Sequence, residues 1–120
     1  MRIFKNTWFA RFADKEGIAD SELLEAVNQL EKGQADADLG GGVYKMRVAR
    51  PGEGKSGGYR VMVFFRSNER TFFAYGFAKS ARANISRKEL EMLKKAAKKY
   101  FSMNPDDLKE RIGQGQLVEL

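Results

Sequence analysis

The chain has no cysteine among its 120 residues, which excludes disulfides and thiolate metal sites and is compatible with an intracellular location. It also has no histidine, so the usual acid and base near neutral pH and the commonest metal ligand are both missing. Any catalysis must use other groups, and neither a metal nor a cofactor is expected. Apolar runs are short: none reaches the roughly 18 residues that a membrane helix needs. The N-terminus, "MRIFKNTWFARFADKEG", is broken by charge, so neither a signal peptide nor a membrane contact is expected, and the expectation is a soluble, cytoplasmic protein.

What is present is a core and an uneven charge. With 42% hydrophobic residues the chain can bury one core without staples. A single domain over 1–120 is expected, with its core in 1–101 and a short helix and tail in 102–120. Net charge is +6, but residues 41–104 hold 15 basic and 4 acidic side chains, a net of +11. Such a concentration is an electrostatic footprint for a polyanion, with RNA or DNA the first candidates. A solvated lysine-rich helix face is the plainer alternative.

Hydrophobic spacing outlines the elements. A strand at Met1–Phe4 is followed by a helix capped by Asn6 or Thr7 and ended by Gly17. Leu23, Leu24, Val27 and Leu30 then mark an amphipathic helix stopping at Gly33. "QADADLGGG" reads as a polar connection. "VYKMRVAR" alternates, with Tyr44, Met46 and Val48 on one side and Lys45, Arg47 and Ala49 on the other. "GYRVMVFFR" places Tyr59, Val61, Val63 and Phe65 opposite Arg60, Met62, Phe64 and Arg66, and "TFFAYGFAK" follows a tight turn at "SNER". Ser86 and Glu89 form a capping-box signature before a helix carrying Lys94, Lys95, Lys98 and Lys99. Asn104 and Pro105 open a final short helix. The order is β-α-α-β-β-β-α-α: an α+β fold, an antiparallel sheet with helices packed on one face.

Between the first two strands of the meander lies "ARPGEGKSGGYR". It contains Gly52, Gly54 and Gly57 in a G-x-G-x-x-G and a Gly-Lys-Ser at 54–56. A P-loop would need glycine where Ala49 stands, and a dinucleotide fingerprint would have to open a helix, whereas "YRVMVFF" reads as strand. A loop that handles the phosphates of a polynucleotide is the better reading, with Arg50 and Lys55 as its basic side chains. Glycines beside Lys55 let it approach a backbone closely.

"GGGVYKMRVARPGEGKSGGYRVMVFF" followed by "FAYGFAKSARANIS" resembles the RelE/ParE superfamily of toxins, and most of all its HigB-like and RelE-like branch. The resemblance implies a single-domain RelE-like fold and a toxin neutralised by a cognate antitoxin protein. It further implies cleavage of mRNA on the ribosome without metal or cofactor. ParE-like members instead inhibit DNA gyrase, so fold does not settle activity; a plain nucleic-acid-binding module is a further alternative. Lys45 and Arg47 match the family's basic strand pair, Arg60 the arginine of its G-Y-R strand, and Lys79 and Arg82 its basic motif after the last strand. The C-terminal catalytic tyrosine of RelE has no clear counterpart, because Tyr100 is the only tyrosine after Arg82.

Cleavage through a neighbouring 2′-hydroxyl needs a base, charge stabilisation at phosphorus and an acid for the 5′-oxygen. Without histidine, lysine and arginine must supply most of this. Crowded cations make a lysine easier to deprotonate, and arginine offers phosphate a planar donor fork. The catalytic candidates are therefore Lys45, Arg47, Arg60, Lys79 and Arg82, with the acid unassigned. Arg50, Lys55, Lys94, Lys95, Lys98 and Lys99 are the candidate RNA contacts, by which the chain would hold mRNA and ribosomal RNA independently of sequence. Tyr75, Phe77, Tyr100 and Trp8 read as core.

Overall fold

The computed structural model describes residues 1–50 and 57–120. Strand β1 (Arg2–Asn6) runs directly into helix α1 (Thr7–Glu16), because the Asn6 side chain accepts a hydrogen bond from the Phe9 amide and caps it. Gly17, with φ of 71°, ends α1 in the left-handed conformation that costs glycine least. Helix α2 (Asp20–Glu31) follows, then strands β2 (Ala37–Gly40), β3 (Val43–Val48), β4 (Tyr59–Phe65) and β5 (Arg70–Ala78). Helix α3 (Arg87–Phe101) begins in a full capping box between Ser86 and Glu89, and α4 (Pro105–Gly113) in another between Asn104 and Asp107. Strand β6 (Leu117–Glu119) follows α4.

The described strands form one sheet in the order β2-β3-β4-β5-β1-β6. The meander expected over β3, β4 and β5 is there, but the sheet is mixed, because β1 lies parallel to β5. Two strands were not anticipated. The polar connection contains β2, which reaches β3 through a tight turn at Gly41 and Gly42, both at positive φ. Residues 117–119, in the expected tail, pair antiparallel with β1 as β6.

Helices cover both faces of the sheet rather than one. On the first face Phe9, Ala13, Leu23, Val27 and Leu30 of α1 and α2 pack on Met46, Val48, Tyr59, Val61 and Val63. On the second, Ala97 of α3 and Leu108 of α4 pack with Val43, Phe64, Phe72 and Phe4. This follows from β4, all seven of whose residues are buried, so a central strand hydrophobic on both sides needs cover on both. The one charged residue in that strand is Arg60, 7% exposed.

Candidate nucleic-acid interface

Strand pairing arranges the second face in three rows, since residues directly opposite each other share a face. Val43, Phe64 and Phe72 form an apolar row. It lies against α3, where the Tyr100 ring meets Phe64 and Phe72 edge-on at 5.5 and 5.0 Å. Lys45, Met62 and Tyr75 form the next row, and Arg47, Arg60 and Phe77 the third. Polarity thus rises along the face, from core under α3 to cationic near the loop.

A bulge makes the last two rows possible. Met62 pairs with Tyr75 but Val63 pairs with Phe73, so β5 has one extra residue, Ala74, at this point. The extra residue switches the alternation. Phe72 and Tyr75 therefore share a face, although three residues apart, while Phe73 joins the core under α1. Expected as core, Tyr75 is half-buried, and Trp8, 44% exposed, stacks on it at 4.6 Å between centroids.

The basic residues differ in how they are held. Arg47 is exposed; its amide donates to the Asp36 carboxylate, and its Nε lies 3.5 Å from Asp36 Oδ1. Arg60 is buried, with Nη1 3.4 Å from the Tyr59 carbonyl oxygen. Strand pairing sets the two arginines opposite each other in one row of this face. Lys45 is half-buried one row away.

Arg82 is fixed within the chain. Its Nε and Nη2 donate to the Asn84 carbonyl at 3.1 and 2.8 Å. Nη1 donates to Glu89 Oε2 at 3.0 Å and to the Tyr75 hydroxyl at 3.3 Å, and Nη2 to Glu89 Oε1 at 2.5 Å. A guanidinium has five N–H donors in all, and each is engaged. Its carbon also sits 5.2 Å from the Phe77 ring centroid. The Arg82 hydrogen bonds, helped by the Ser86 amide, hold the Glu89 carboxyl down at about 2.

The other candidates lie around this face rather than in its rows. Lys79 is exposed just past β5, its amide donating to the Gly58 carbonyl at 2.9 Å. Arg50 lies over the Tyr59 ring at 5.9 Å. Lys94, Lys95, Lys98 and Lys99 are all exposed on α3, and the Lys94 stem runs along the Gly40–Gly41 turn. Lys55 lies outside the described residues. Asp36, Tyr75 and Glu89 were missed by sequence reasoning as members of this region. Glu89 did carry a signal, as the capping residue of α3, but its second bond to Arg82 did not.

Among the described residues no cluster of carboxylates could hold a metal ion, and no helix is long and apolar enough to cross a membrane. A small α+β domain with one cationic sheet face is the class these features define. The family model described as "RelE toxin of RelE / RelB toxin-antitoxin system" matches residues 1–120. The chain belongs to the RelE toxin family.

Proposed function

We propose that this protein is the toxin of a toxin–antitoxin pair and inhibits translation as a ribosome-dependent mRNA endonuclease, cutting through the 2′-hydroxyl without a metal. The observation that carries the reading is the facing pair Arg47 and Arg60, with Lys45 on the same face one row away. Arg60, buried and preorganised, clamps the scissile phosphate and stabilises the charge that develops on it. Lys45 takes the proton of the attacking 2′-hydroxyl, and Arg47 assists at the phosphate. Lys79, Arg50, Lys55 and the four lysines of α3 supply phosphate contacts without sequence information. A RelB-type antitoxin is the neutralising partner, and the cell's cytoplasm, where ribosomes work, is the site of action.

The test is induced expression without antitoxin, followed by mapping of mRNA 5′ ends with and without translation. Growth arrest with new ends inside translated codons, and little cutting of naked RNA, is expected. Ends that ignore translation would overturn the ribosome dependence. Arrest with altered DNA supercoiling and no new RNA ends would identify gyrase as the target instead.

A further inference from the structure

Because all five Arg82 donors are engaged within the chain, Arg82 as held has none left for a phosphate. What it does hold is the Tyr75 hydroxyl. Arginine is donor-only, so the phenol oxygen accepts at this contact and the O–H proton points elsewhere. Among the described residues that proton meets no acceptor. Tyr75 is half-buried and walls an open cleft of ≈ 290 Å³ with Glu89, Met92, Leu93 and Ala96.

Its place on the sheet is specific. Tyr75 and Lys45 flank Met62 from the two strands on either side of β4, on the same face. Their backbones are therefore about 10 Å apart, two strand spacings. Arg60 lies on the strand between them, in the adjoining row. Attack by a 2′-oxygen expels the 5′-oxygen on the far side of phosphorus, so base and acid must stand on opposite sides of the phosphate. Lys45 and Tyr75 stand in that relation to Arg60.

We propose that Tyr75 is the general acid of the cleavage step, and that Arg82, fixed by Glu89, is the residue that positions it; this rests on the endonuclease reading above. The Lys45 amine takes the 2′-hydroxyl proton as the 2′-oxygen bonds to phosphorus. The bond from phosphorus to the 5′-oxygen breaks, its electron pair goes to that oxygen, and the Tyr75 proton follows. The products are a 2′,3′-cyclic phosphate and a 5′-hydroxyl. Arg82 stabilises the phenolate until solvent restores its proton and removes that of Lys45.

The experiment is single-turnover cleavage on programmed ribosomes, comparing ordinary mRNA with mRNA whose scissile 5′-oxygen is replaced by sulfur, a leaving group that needs no proton. Tyr75→Phe keeps the ring against Trp8, and a thermal melt checks that it is folded. It should cut ordinary mRNA about 100-fold or more slowly, the low end of what a general acid contributes, yet cut the sulfur substrate within a few-fold of wild type. Arg82→Gln should show the same selective rescue, which a merely structural role would not produce. Wild-type speed for Tyr75→Phe on ordinary mRNA, or an equal loss on both substrates, overturns the assignment and leaves the endonuclease reading standing. Failure of the wild-type protein to cut either substrate overturns both.

Discussion

Arg47 and Arg60 stand directly opposite each other on β3 and β4, one exposed and the other buried. An arginine facing another across a strand pair is unfavourable for folding alone. The pair puts two donor forks in one row of the sheet face, the geometry in which arginine meets a phosphate.

Arg60→Met should therefore separate activity from folding. The variant is expected to stay folded, as a thermal melt would check, because methionine keeps much of the apolar stem that arginine buries. Cleavage on programmed ribosomes should fall about 100-fold or more, the scale of losing one preorganised charge-stabilising donor. Arg60→Lys should recover only part, because a point charge lacks the planar fork. Ribosome affinity should change far less, as many basic residues share it. Near wild-type cleavage by folded Arg60→Met would remove Arg60 from the mechanism.

Acid should weaken the Arg82–Glu89 latch. The Glu89 carboxyl sits at about 2 in the folded chain, below its usual value near 4.3 in an unfolded one. A depressed carboxyl stabilises the fold above its unfolded value and loses that contribution as pH falls toward the folded one. Glu89→Gln should thus be less stable than wild type at pH 7, with the gap closing between about pH 4.5 and pH 2. Urea unfolding across that range measures it, and a gap that stays constant down to the lowest pH would show that the ion pair is not its source. Glu89 is exposed to screening, so a modest gap at low salt, smaller at high salt, is expected.

The turn between β2 and β3 should tolerate no side chain at Gly42. There φ is +83° and an added Cβ would lie 2.9 Å from Phe101 Cε2. Gly42→Ala should cost about 1–2 kcal/mol from the left-handed backbone alone, plus the displacement of Phe101 from the second core. Gly33→Ala makes the comparison: its φ is +72° but nothing lies within 4 Å of the added atom, so it should lose the backbone contribution only. Equal losses in denaturant midpoint would show that Phe101 yields without cost.

Much of this protein was legible in its sequence, because the signals concerned are local. Alternation in "VYKMRVAR" set Tyr44, Met46 and Val48 opposite Lys45 and Arg47, and in "GYRVMVFFR" it set Tyr59, Val61 and Val63 opposite Arg60, as observed. Asn6, Ser86 with Glu89, and Asn104 with Pro105 marked helix starts, because their bonds span only three residues. The segregation of positive charge is likewise a property of the chain itself.

What the tertiary structure decided depends on partners far apart in sequence. The edge strands β2 and β6 are only four and three residues long, and they exist because β3 and β1 offer them hydrogen bonds. Helices came to both faces because β4 is apolar on both. Above all, the bulge at Ala74 turned Tyr75 and Phe77 toward Arg60 and Lys45, where unbroken alternation from Phe73 would have sent them into the core beneath α1. A one-residue register shift reverses every side chain beyond it. Whether such a shift occurs is settled by how β4, β5 and the helices pack together, not by the composition of β5, and so the face carrying Tyr75 emerged only with the fold.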